Sequence, residues 1–134
     1  MRPGIAIRAG VLYFVFVFLI GFALGTVRVL ALEPALGPLN SVMIEIPVML
    51  AASWAVAGRL IARLGVPRQL RARGSMGGVA ISLLLIAETG LGVWGFGQTL
   101  VGHLAQYATP AGMAGQAGQM GFALIPALRL LRRD

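Results

Sequence analysis

Four long apolar stretches dominate this chain of 134 residues, at about 9–32, 39–63, 76–100 and 111–131. Each reaches or exceeds the roughly 20 residues that cross a bilayer as a helix. Mean hydropathy is +0.88 and only 11% of residues are charged, against about a quarter in soluble domains. Lipid is therefore the expected solvent, and a backbone in lipid has to satisfy its own polar groups, which specifies helices. Phe14, Phe16, Phe18 and Phe22 alternate as in a strand, but the apolar length around them overrules that pattern.

The basic residues, all arginine, give the helices a direction. Arg2 and Arg8 precede the first stretch, Arg59, Arg63, Arg68, Arg71 and Arg73 run from the end of the second stretch through the gap before the third, and Arg129, Arg132 and Arg133 close the fourth. By the positive-inside rule these regions are cytoplasmic, and the connections around 33–40 and 103–110 face outward. The expectation is an all-α integral membrane protein of four transmembrane helices in a small bundle, with both termini cytoplasmic and one transmembrane domain over residues 1–134. The formal charge of +7 is accounted for by this topology, so no nucleic-acid partner is expected. The loop from Arg63 to Arg73 should instead attract anionic headgroups. The first stretch is longer than the apolar core of a signal peptide, about 7–15 residues, and reads as a retained helix.

Prolines and glycines set the boundaries. Glu33-Pro34 and Gly37-Pro38 are expected to stop the first helix, and Asn40 or Ser41 to cap the second. Pro47 frees the carbonyl of Met43, which then needs a neighbouring helix or polar side chain. Residues 65–74, interrupted by Pro67, read as a basic loop. The fourth stretch carries Gly112, Gly115, Gly118 and Gly121 with Gln116 and Gln119 among them. It is read as a full crossing rather than a half-inserted segment, because arginines follow it, and Pro126 is expected to bend it. Small residues let transmembrane helices approach closely, so Gly21, Gly25, Gly92, Gly95, Gly115 and Gly118 are the expected packing positions.

Five polar residues form the candidate intramembrane site. At about 1.5 Å of rise per residue, Glu88 falls near the centre of the third helix, Glu45 some two turns inside the outer end of the second, and Arg28 in the last turns of the first. Gln116 and Gln119 fall in the outer half of the fourth, so all five share a leaflet. A carboxylate in lipid has to meet a cation, be protonated and hydrogen-bonded, or line water. An Arg28–Glu45 ion pair is expected, either as a structural staple or as part of a functional site. Glu88 is either a group that loads and releases protons or a neutral acid bonded to Gln116, Gln119 or a carbonyl freed near Pro47. Trp54, Trp94, His103 and Tyr107 read as anchors or packing. With one histidine and no cysteine, bis-histidine haem, disulfides and thiolate metal sites are excluded within the chain. No catalytic residue, metal or cofactor is expected, and the chain does not read as an enzyme.

The stretch G-F-A-L-G-T-V-R at Gly21–Arg28 resembles the glycine-then-arginine element of small fluoride channels, but their asparagine-containing second motif does not follow. Small multidrug transporters carry a glutamate in the first helix, where this chain has none. Taken together, G-T-V-R-V-L, I-E-I-P-V-M-L-A-A-S-W and A-E-T-G-L-G resemble an uncharacterised group of small bacterial four-helix inner-membrane proteins. That resemblance implies a multi-pass location in a bacterial inner membrane and no activity. Two functions remain in view: an accessory or assembly subunit packed against a larger membrane complex, and a small homo-oligomeric transporter or channel using Glu88 and Glu45.

Overall fold

A computed structural model describes residues 3–132; Arg2 and Arg133, two of the arginines used for orientation, lie outside the described residues. Helix α1 covers Pro3–Val27 and passes through a π-helical turn, Arg28–Leu32, into the short α2, Glu33–Leu36. Helix α3 is Pro38–Leu64, and α4 is Leu70–Gly90 with a second π-turn at Leu91–Gly95. The short α5, Leu100–Ala105, precedes α6, Pro110–Leu128. Three helical stretches, Gly4–Leu36, Pro38–Leu64 and Leu70–Gly95, are long and apolar enough to cross a membrane. Helix α6 has 19 residues, about 28 Å of rise, but its glycines, Gln116 and Gln119 leave it less apolar than those three.

The first helix does not stop at Pro34. Proline lacks the N–H that would bond the carbonyl four residues back, and its ring crowds that carbonyl. The π-turn just before it shifts the pairing, with the Glu33 N–H bonded to the Arg28 carbonyl. Pro34 thus enters as part of the first turn of a new helical segment, where a missing N–H costs little. The stop comes at Gly37, whose φ of +85° is open to glycine and strained for any other residue. Asn40 and Ser41 do not cap the start of α3, because α3 begins earlier, at Pro38. They donate backward instead, Asn40 Nδ2 to the Leu36 carbonyl at 3.0 Å and Ser41 Oγ to the Gly37 carbonyl at 2.7 Å.

The basic loop is also shorter than its sequence suggests. Gly65 ends α3 in the left-handed region at φ +68°, donating to the Ile61 carbonyl, and α4 starts at Leu70. Arg71 and Arg73 therefore lie in the first turn of a helix. At its far end α4 breaks before Leu100, at Phe96 and Gly97, where Gly97 has φ +69°. Thr99 and Thr109 then cap α5 and α6, each accepting a backbone N–H three residues on at 3.0 Å.

Helix α1 packs on α3 and α4, and α6 packs on the same two from the other side. The core they enclose mixes small and large residues, with Ala6, Ala9, Tyr13 and Val17 of α1 and Ala72, Met76, Ala80 and Leu84 of α4 in one buried cluster. A Cβ on Gly10 would stand 2.7 Å from the Met76 carbonyl oxygen, and one on Gly77 would collide with the Ala123 carbonyl. At mid-bundle the buried Tyr13 stacks on Phe122 at 4.3 Å and donates its hydroxyl to the Phe122 carbonyl at 2.6 Å. That carbonyl lies four residues before Pro126, which has no N–H to give it.

Arginines hold the end of α6. Arg68 donates to the carbonyls of Leu130 and Arg132 at 2.8 and 2.9 Å. Arg73, buried, donates to those of Pro126 and Pro67, both at 3.2 Å. Arg129 reaches back to the Trp54 carbonyl at 3.1 Å with its guanidinium over the indole ring. A helix C-terminus presents orphan carbonyls and a partial negative charge, and guanidinium donors answer both.

Candidate functional site

The opposite end of the bundle holds Glu33, Glu45 and Glu88, all the glutamates of the chain. Two clusters form there, one joining the turn after α1 to α3 and the other joining α4 to α6. Ile46, next to Glu45, fills the space a Cβ on Gly118 would take, next to Gln119.

The first cluster is built on Arg28, the opening residue of the π-turn. Its Nε donates to Glu45 Oε2 of α3, and its Nη1 donates to Glu33 Oε2 at 2.6 Å. Five residues of α-helix would place Glu33 roughly 140° around from Arg28; the wider π-turn between them closes that offset. Glu33 was missed from sequence because its helix was expected to have ended. The Arg28 guanidinium folds back along α1 beside Gly25, where a Cβ would still stand at an ordinary contact distance of 3.6 Å. All three side chains are partly covered, and Leu24, Val27 and Ile44 line a shallow apolar recess beside them. One guanidinium thus serves two carboxylates.

The second cluster centres on Glu88. Its Oε1 accepts from Gln119 Nε2 of α6, and Gln119 Oε1 accepts from Gln116 Nε2 at 3.0 Å. Of the partners expected for Glu88, Gln119 reaches it directly and Gln116 through Gln119; the carbonyl freed by Pro47 is not among them. Glu88 also lies further from the middle of its helix than expected. With α4 and its π-turn running from Leu70 to Gly95, the midpoint falls near residues 82 and 83, about 8 Å short of Glu88.

That shift brings Glu88 toward the α5–α6 connection. The Tyr107 hydroxyl interacts with the Glu88 carboxylate, and its pKa is raised above the ordinary tyrosine value by burial first and by that negative charge second. His103 Nε2 lies 3.1 Å from the Tyr107 hydroxyl, and His103 Nδ1 lies 3.3 Å from Gln98 Oε1. The imidazole is 7% exposed, so His103 is part of the packing beneath α5 rather than a surface anchor. Trp94, by contrast, is 86% exposed.

The glycines named from sequence play different parts. Gly21 faces Met49 and Gly118 faces Ile46, both across α3. Gly92 leaves room for His103 and Gln98 rather than for another long helix, and Gly95 is met only by Leu91 of its own π-turn. Gly115 has open space where a Cβ would stand. Spacing alone did not separate these cases, because the break at Gly97 turns α5 back over Gly92 and the Gly115 position faces away from close neighbours. No cluster of three His, Asp or Glu residues suited to a metal ion occurs among the described residues.

No protein-family model matches the chain, and no match was found among curated proteins or among solved structures.

Proposed function

We propose that this chain crosses a bacterial inner membrane four times, as in the small inner-membrane proteins it resembles, and serves as an accessory or assembly subunit of a larger membrane complex. The observation that carries this reading is the filled interior of the bundle. Tyr13, Phe122, Met76 and Leu84 occupy its centre, and the polar groups near one end are engaged with one another. Large apolar residues instead line the outside, among them Ile7, Leu19 and Phe22 of α1 and Ile86 of α4. In this reading those faces meet lipid and a partner, and no catalytic or nucleic-acid role is assigned.

Gentle extraction of the tagged chain, followed by particle mass and identification of the proteins retained at fixed stoichiometry, tests it. A different protein in constant ratio supports the subunit reading. A particle containing this chain alone refutes it.

A second reading, a homo-oligomeric transporter or channel, is favoured by the run of polar contacts from Glu88 through Tyr107 to His103. Under the subunit reading, Glu88→Gln inserts and assembles at near normal yield, because the amide keeps the hydrogen-bonding shape. Loss of a pH-dependent flux in vesicles with folding intact would favour transport instead.

A further inference from the structure

The arginine-rich end carries a cleft that capping the helix does not require. It opens between α3 and α6, with Gly58, Ile61 and Val66 as walls and Arg68, Arg73 and Arg129 around it. Each guanidinium is already oriented. Arg68 is tied to two carbonyls of the chain after α6, Arg73 is buried on the Pro67 and Pro126 carbonyls, and Arg129 donates to the Trp54 carbonyl with its guanidinium 4.6 Å from the indole centroid. Gly58 makes room for that last placement: a Cβ there would stand 2.5 Å from Arg129 Nη2, so the guanidinium would have to shift.

We propose that this cleft binds the phosphate of an anionic phospholipid. Arginine stays charged at any physiological pH and presents a planar fork of donors suited to phosphate oxygens. Arg68 is exposed, and each of its Nη atoms carries a second hydrogen beyond the one given to a carbonyl. The apolar walls suit the glycerol and first methylenes of a lipid better than a free, fully hydrated phosphate. Basic pockets between transmembrane helices on the cytoplasmic side commonly take anionic headgroups. The inference rests on the four-span reading, which places this end at headgroup depth, and it stands whichever partner the chain has.

The test uses the full chain in a neutral detergent, titrated separately with phosphatidylglycerol, phosphatidylcholine and inorganic phosphate. Native mass spectrometry reads the bound species, and circular dichroism checks that each variant is folded. The expected result is one retained phosphatidylglycerol per chain, with phosphatidylcholine and inorganic phosphate far weaker. Arg68→Gln should weaken lipid binding about tenfold, the scale of one charge-assisted hydrogen bond. Gly58→Ala, which displaces Arg129 without changing the charge, should weaken it in the same direction. If Arg68→Gln loses helix content, Arg68→Lys keeps the charge without the fork and should weaken binding by a smaller factor. Arg63→Gln, at the same end but outside the cleft, should leave binding unchanged. An equal loss in Arg63→Gln, or inorganic phosphate matching the lipid, overturns the proposal. Failure of the four-span reading would show instead in the site-directed labelling described below.

Discussion

A missing N–H at Pro126 decides what Tyr13 does. The ring leaves the Phe122 carbonyl without a helical partner, and in a dry interior such a group costs free energy unless something donates to it. Tyr13 supplies the hydroxyl at 2.6 Å. Tyr13→Phe should destabilise the fold by about 1–2 kcal/mol, measured by reversible unfolding in mixed micelles. In a Pro126→Ala background the backbone regains its own donor, so the same change should cost much less, and an undiminished cost would sink this account. The contact was derivable from sequence by the rule applied to Pro47 and Met43, but Tyr13 sits in an apolar run where nothing marks it as a donor. Arg28 was easier to read, because it lies toward the outer end of the first apolar stretch with Glu45 at matching depth. Arg28→Ala leaves Glu33 and Glu45 facing each other without a cation, so inserted yield should fall. Glu45→Gln should restore much of it, and absence of rescue would count against the pair as a staple.

Glycine spacing defines where helices meet only once the neighbours are known. Gly115 and Gly118 belong to one triplet pattern on α6, yet Gly118 is pressed by Ile46 and Gly115 faces open space. Gly77 is flanked in sequence by Gly74 and Gly78, which have room, and is itself pressed against the Ala123 carbonyl. Gly115→Ala should therefore be neutral or stabilising by up to about 1 kcal/mol, through helix propensity. Gly77→Ala has to push α6 away from α4 and should lower the unfolding midpoint sharply. A thermal scan of both variants in one detergent checks the contrast, and equal behaviour would mean that the α4–α6 approach is wrong. The existence of the long helices was legible because apolar length is a strong signal. Their ends were not, because π-turns at 28–32 and 91–95 let helix pass through a proline and end at Gly95 rather than Leu100.

At the scale of the molecule, charge is sorted by end: Arg28 and the three glutamates occupy one, and Arg68, Arg73, Arg129 and Arg132 gather at the other. The sequence reads the arginines as a topological expectation, whereas their second task, contact with backbone carbonyls, could not be read there, since capping depends on where α6 stops. The two tasks pull the same way. In the four-span reading proposed above, a guanidinium that holds the C-terminus of α6 would sit in the interfacial layer, and transfer of that end across the membrane would carry the whole set of charges with it. The chain contains no cysteine, so single cysteines report position without background. In intact cells a membrane-impermeant maleimide should label cysteine at Ala35 and at Ala108, and should label cysteine at Gly65 only after the membrane is opened. Gly65 reactive in intact cells would reverse the orientation. If α6 lay in the interface instead of crossing, a cysteine at Leu131 would be labelled from the same side as Ala108. Labelling of Leu131 only after opening, with Gly65, would establish the fourth crossing that its composition leaves open.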